Sequence, residues 1–138
     1  MTTVQGDGFD LKFEDGVIVG IYGKILTPEI TAKVYAEGTK IVKSVGVENV
    51  RGLLLDFRAV ERFIAGNLPT AQSESYRLNA RYSLDHIPVA LIVETPMQEQ
   101  MVRVSLRSTP GQERKRIVRT DDDAWTFITQ WHKDKSDE

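Results

Sequence analysis

The chain has 138 residues, 41% of them hydrophobic and 28% charged, proportions that suit one globular domain over 1–138 and exclude disordered, collagen-like or low-complexity chains. Its 18 Lys and Arg against 20 Asp and Glu leave a net charge of −2, which excludes the broad positive field of a general nucleic-acid binder, so any cationic site must be local. The lack of cysteine excludes disulfides, thiolate catalysis, iron–sulfur clusters and cysteine zinc sites.

In chain order, residues 9–14 alternate apolar and polar side chains, Asp15-Gly16 is a two-residue turn, and residues 17–22 resume the strand pattern, which predicts a hairpin. Thr27-Pro28-Glu29 opens a helix. The threonine hydroxyl can take a free backbone N–H, proline's fixed φ suits the first helical position, and the acid meets the positive end of the helix dipole. Ile30, Val34, Ile41 and Val45 then share a helical face, and Gly46 ends the helix. Gly38 inside it costs about 1 kcal/mol relative to alanine unless another backbone packs there. Residues 50–57 hold the unbroken run Leu53-Leu54-Leu55, which predicts a central strand covered on both faces. Leu68, Ala71, Ser75, Leu78 and Tyr82 mark a second helix, with Asn67 as its cap and Asp85-His86 at its close. Residues 87–94 read as another buried strand.

Thr95-Pro96-Met97-Gln98 is a capping box with proline first, so a third helix runs toward Arg107 before the Pro110-Gly111 turn. Residues 115–119 form the last predicted strand, and Thr120 with Asp121, Asp122 and Asp123 starts a final helix bearing the stripe Ala124, Phe127, Ile128 and Trp131. The order ββαβαβαβα predicts an α/β fold: a mainly parallel sheet with right-handed crossovers and an N-terminal hairpin that adds one antiparallel edge strand. Fraying is expected at 1–7 and 133–138. The longest apolar run, 89–93, falls far short of the roughly 18 residues that span a bilayer. Residues 1–9 show no signal-peptide core, so a cytoplasmic protein without integral membrane association is expected.

This order is accompanied by Gly20 and Gly23 in the hairpin, the helix start Leu26-Thr27-Pro28-Glu29, the stretch from Val50 to Arg58, the strand 87–93, and the ending 118–125 with its acidic helix start and Trp125. Together they resemble the STAS superfamily (sulphate transporter and anti-sigma-factor antagonist domains), and more closely its SpoIIAA-like branch of small bacterial proteins, grouped with Sec14-like lipid-binding domains. The likeness covers nearly the whole chain and implies a regulatory domain. In the antagonists of that family the switch is a serine just after the central strand, phosphorylated by a partner kinase. The matching stretch here, 63–68, carries Ala65, Gly66 and Asn67 where the family shows aspartate and serine, so the phosphoacceptor does not carry over. Thr70, Ser73 and Ser75 lie further along and would accept phosphate only if exposed.

Ligands of open α/β sheets lie beyond the carboxyl ends of the parallel strands, which here brings together Tyr22 to Lys24, Asp56 to Arg62, and Glu94-Thr95. Arg58 and Arg62, beside the helix start near Asn67, could bind a phosphate or carboxylate; the plainer expectation is that they pair with Asp56 and Glu61 on a solvated loop. Asp56 and Glu94 have no His, Cys or Lys motif nearby to complete a nucleophile and base, so no catalytic residue and no enzyme is predicted. His86 and His132 stand far apart in sequence, each without a close His companion, and no metal site is predicted. The glycines form neither a dinucleotide fingerprint nor a P-loop, and no cofactor is expected. The basic run Arg114-Lys115-Arg116, with Arg103, Arg107 and Arg119, is expected to be a solvated face diluted by Asp121 to Asp123, in preference to a site for membrane phosphate or an acidic partner. Tyr22, Phe57, Phe63, Tyr76 and Tyr82 fit core-filling roles, or the lining of an apolar pocket near the strand ends.

The expected function is therefore a non-enzymatic STAS-like regulatory or protein-interaction domain, with Asp56, Arg58, Glu61, Arg62, Phe63 and Asn67 as its partner or anion surface. The alternative is a Sec14-like carrier that holds a small lipid or anionic metabolite between helices and sheet. A third expectation is self-association, through the final helix with Trp125 and Trp131 or through an exposed edge strand. No nucleic-acid partner is expected.

Overall fold

The computed structural model describes residues 2–136. Strands β1 (Thr2–Gly6), β2 (Phe9–Glu14) and β3 (Val17–Tyr22) run antiparallel in succession. The β2–β3 turn is Asp15-Gly16, with φ of 52° and 83°, the hand that lets two strands continue their twist through a two-residue connection. The predicted hairpin is present, with a correction: Thr2–Gly6 is not frayed but pairs along β2, so two antiparallel strands lie outside β3 where one was expected. The open main-chain edge of β2 supplies hydrogen-bond partners whatever side chains the added strand carries. Residue 1 lies outside the described residues.

After the short strand β4 (Ile25–Leu26), helix α1 (Pro28–Val45) starts as predicted, with Thr27 Oγ1 accepting the Ile30 N–H at 3.1 Å. It closes at Gly46, whose N–H donates to Val42 O at 2.8 Å. A 3-10 turn at Val47–Asn49 leads to β5 (Gly52–Asp56), which lies parallel to β3. The two-residue strand β6 (Arg62–Phe63) pairs with β4 in a separate small parallel sheet.

Helix α2 (Asn67–Arg81) departs from expectation at both ends. Gly66, at φ 91° in the left-handed region, is the cap in place of Asn67, which is already the first helical residue. At the far end the helix stops at Arg81, and Asp85 and His86 lie in the connection to the next strand. The ring of His86 is held there, its Nε2 3.0 Å from Val47 O.

Strand β7 (Val89–Ile92), helix α3 (Pro96–Arg107), a 3-10 turn at Gln112–Arg114, strand β8 (Lys115–Val118) and helix α4 (Asp121–Ser136) complete the chain. The Thr95–Gln98 capping box forms, and Thr120 Oγ1 accepts the Asp123 N–H at 3.0 Å to start α4. Fraying from 133 is replaced by helix through Ser136, while residues 137–138 lie outside the described residues. The six-stranded sheet has the order β1-β2-β3-β5-β7-β8, with β3, β5, β7 and β8 mutually parallel.

Alternation along the strands divides the interior into two clusters. Ile18, Leu53, Leu55, Val89 and Leu91 face α1, α2 and α3, where Val34, Ile41, Val42, Leu78 and Val102 meet them. Val17, Val19, Leu54, Ala90 and Ile92 face α4, where Ala124, Phe127 and Ile128 cover them. The predicted double burial of the run at 53–55 thus has a simple cause: its members alternate between two covered faces. Trp125 and Trp131 are half-buried against the α4 cluster, Trp131 edge-on to Phe127 at 6.2 Å, so they cap this core instead of standing out as a free apolar face. Among the described residues, no helix is long and apolar enough to cross a membrane.

Candidate functional site

The loop from Phe57 to Gly66 leaves the carboxyl end of β5 and is fixed at three places. At its start, Asp56 Oδ1 accepts the Arg58 backbone N–H at 2.9 Å, a local turn that a carboxylate two residues back can make. In its middle, the buried Gln98 of α3 donates from Nε2 to Arg58 O at 3.0 Å and Val60 O at 2.9 Å, while its Oε1 accepts the N–H groups of Glu94 and Thr95. Near its end, Glu61 N–H donates to Lys24 O at 2.7 Å and Ile64 N–H to Leu26 O at 2.9 Å, which seats the small β4–β6 sheet.

The six predicted surface residues separate into three groups. Arg58 presents a two-pronged fork to Asp56, Nε to Oδ1 at 3.0 Å and Nη2 to Oδ2 at 2.8 Å, and the same Nη2 lies 3.1 Å from both carboxylate oxygens of Asp121 at the start of α4. The bond to Asp56 is the main cause raising the pKa of Arg58, burial opposes it, and Asp121 adds to the rise. Arg58 is therefore internally paired, as the plainer expectation had it. The other half of that expectation fails: Glu61 and Arg62 are exposed side by side, and neither makes an ion pair among the described residues. Phe63 and Asn67 turn inward: Phe63 stacks on Phe57 at 6.4 Å, Phe57 stacks on Tyr22 at 4.8 Å, and Asn67 Oδ1 accepts a hydrogen bond from Thr31 of α1. Of the two strand-end carboxylates, Asp56 is engaged by Arg58 and Glu94 is exposed. Of the hydroxyls past the loop, Ser75 is buried, Thr70 donates to Gly66 O at 3.0 Å, and Ser73 is exposed.

Behind the loop lies a cavity of about 240 Å³ between the sheet and helices α1 to α3. Leu53, Leu55 and Leu91 form its sheet wall, Leu78 and Val102 belong to its helical wall, and Phe57 and Phe63 border it toward the loop. Burial raises the pKa of the Tyr22 and Tyr35 phenols that line it, so both stay neutral. The aromatic expectation holds for Tyr22, Phe57 and Phe63, whereas Tyr76 is 61% exposed and Tyr82 is only partly buried beside the core.

The far end of the cavity corrects the reading of the basic run. Arg114 is not solvated: it is 4% exposed, and its Nη1 donates to Ile87 O at 2.9 Å. Its guanidinium packs onto Gly111, where an added Cβ would lie 2.6 Å from Nη2. Lys115 beside it donates to Thr109 Oγ1 at 3.0 Å, and burial, with the Arg114 charge adding to it, lowers its pKa to about 8. The rest of the run matches the expectation, for Arg116 is exposed over the Phe127 ring at 4.7 Å, and Arg103 and Arg119 pair with Glu99. Sequence reasoning missed Arg114 because it stands in a contiguous cationic string; the Pro110-Gly111 turn just before it, which lets the chain fold back over the side chain, was the available signal.

No protein-family model matches the chain, and no curated protein matches it in sequence. Solved structures do match. An uncharacterised protein of the DUF3478 family with a SpoIIAA-like fold, from Shewanella loihica, is 18% identical, covers 93% of this chain and 99% of its own, and has a TM-score of 0.58. An anti-sigma factor antagonist from Mycobacterium paratuberculosis is 17% identical over 93% of each chain, at a TM-score of 0.55. The Bacillus cell fate determinant SpoIIAA in its phosphorylated form is 12% identical, covers 87% of this chain and 98% of its own, and has a TM-score of 0.57. With a hairpin leading into parallel strands and four helices arranged as described, the chain has a SpoIIAA-like fold.

Proposed function

We propose that this chain is a non-enzymatic, cytoplasmic STAS-like regulatory domain, one unit over 1–138, that acts by binding a protein partner through the loop 57–66 and the start of α2. The observation that carries the reading is the fold it shares, over 93% of its length, with a protein described as an anti-sigma factor antagonist. The exposed Glu61, Arg62, Ala65 and Gly66 support the choice of surface, and Gln98 anchors the first part of the loop through Arg58 O and Val60 O. Asp56 and Arg58 serve the surface by setting the loop's exit from β5, and Phe63 and Asn67 by fixing its inner side. A serine switch is not part of this reading, because Ala65, Gly66 and Asn67 occupy the matching positions.

The test is capture of partners from a bacterial extract by the wild-type chain and by a Glu61→Lys/Arg62→Glu variant of equal thermal stability. A protein retained in stoichiometric amount by the first and lost by the second is the expected result. Equal retention by both contradicts the surface, and a turnover abolished by Asp56→Asn contradicts the non-enzymatic reading.

The cavity favours a second reading, a carrier of a small lipid or anionic metabolite. An apolar cavity of about 150 Å³ can already hold a benzene ring, and this one is larger.

A further inference from the structure

The two ends of the cavity differ in chemistry. Toward the loop it is bordered by aromatic and aliphatic groups, Phe57, Phe63 and Tyr22. At the amino ends of β7 and β8 it is bordered by Arg114 and Lys115, with Ser75, Asn79 and Thr109 around them. A buried cation is costly unless it is paired. Yet Arg114 makes no ion pair among the described residues: Glu113 and Asp85 act on it only through space, and burial still lowers its pKa. Its Nη1 reaches Ile87 O and its Nη2 reaches Asn79 Oδ1 at 3.4 Å. Nε has no hydrogen-bond partner among the described residues, and since no buried side-chain nitrogen there lacks one, it is open to a visiting group and not sealed in. Lys115 likewise has a hydroxyl, not a carboxylate, as its partner.

Length limits what fits. Leu53 pairs with Val89 at one end of the sheet wall, and Phe57 N–H bonds to Ile92 O at the other. The four residue steps between them span about 13 Å at the usual rise of a strand. A volume of about 240 Å³ beside such a wall leaves room for one short acyl chain and not for two.

We propose that the cavity takes a single-chain anionic amphiphile, its tail along Leu53, Leu55 and Leu91 and its carboxylate or phosphate head on Arg114 and Lys115. This rests on the carrier reading and assigns its ligand class. The guanidinium fork supplies paired donors to either head, and the lysine adds a second positive charge.

The test is titration of the full chain, below the micelle threshold, with decanoate, decyl phosphate and 1-decanol, followed by NMR of the Leu55 and Leu91 methyls and the Arg114 Nε–H. The expected result is that an anionic probe shifts all three signals and binds at least about tenfold more tightly than decanol, since hydrogen bonds to charged groups are the stronger class. The tighter of decanoate and decyl phosphate identifies the head. Lys115→Met should remove severalfold of the anion's affinity and leave decanol unchanged; Arg114→Met should do the same more strongly, and Lys115→Met carries the test if that variant does not fold. Binding of decanol and decanoate with equal affinity, or an unaltered anion affinity in Lys115→Met, overturns the head-group assignment and leaves the carrier reading standing. Binding of none of the three probes overturns both.

Discussion

The two faces of the sheet are covered in different ways. On the α4 face, small residues let the helix come close: Ala90 is fully buried, and a Cβ added at Gly52 would meet Ile128 at 2.9 Å. The interior there is an apolar cluster of Val17, Val19, Leu54, Ile92, Phe127 and Ile128. On the opposite face, three helices share the work, and α2 sends least into the interior, with Ser75 its one buried residue. The buried polar side chains Thr31, Ser75, Gln98, Thr109 and Arg114 all belong to this side, and all but Gln98 border the cavity. Dense apolar packing fixes a fold but offers nothing to recognise, whereas an underfilled layer with placed polar groups gives up stability for a site. On the proposed function, the α4 face is the foundation and the α1–α3 face is the working side.

That contrast sets an order of mutational effects. Leu54→Ala, under α4, should cost about 3 kcal/mol in chemical denaturation, while Leu55→Ala, its neighbour on the cavity wall, should cost about half as much because a space is already there. Equal costs would remove the distinction between the faces. Gln98→Leu should cost about 2 kcal/mol, since a 2% exposed amide leaves four backbone groups without their partner. It should also speed amide exchange at 57–61, a local effect that a general loss of stability would not confine to the loop.

The cationic end makes a pH prediction. Burial and the neighbouring Arg114 bring Lys115 from 10.5 to about 8, Glu113 opposing them, so the unfolded chain binds more protons than the folded one between those values. Stability therefore rises with pH across that window, and the full penalty is present below it, where both states are charged. Lys115→Met should be the more stable protein at pH 7, with the difference closing as the pH approaches 10; a constant difference would show that the ammonium is not desolvated. Tyr22 and Tyr35 act in the opposite sense above about pH 10, where the unfolded phenols ionise first. The smallest effect is expected at Gly38, where an added Cβ meets nothing within 4 Å: Gly38→Ala should stabilise by about 1 kcal/mol, read as a raised denaturation midpoint.

The helix starts at Thr27, Thr95 and Thr120 were legible in the sequence because capping is a matter of a few adjacent residues. So was the double burial of Leu53 to Leu55, since an unbroken apolar run suits two covered faces. Strands β4 and β6, two residues each, are too short to carry a period, and β1 is fixed by main-chain pairing. The start of α2 was misplaced by one residue because a left-handed glycine does there what a side-chain cap does elsewhere. Within the site, Asp56 and Arg58 pair across two positions and could be foreseen. The contact of Arg58 with Asp121 spans 63 positions, and the burial of Arg114 depends on a loop folding back, neither of which spacing records.

Native-state amide exchange of the whole chain, resolved by residue, tests the division between the faces most directly. The account predicts that β5, β7 and α4 exchange only near the free energy of global unfolding, while the loop 57–66 and α2 open at lower cost. Equal protection of α2 and α4 would contradict it.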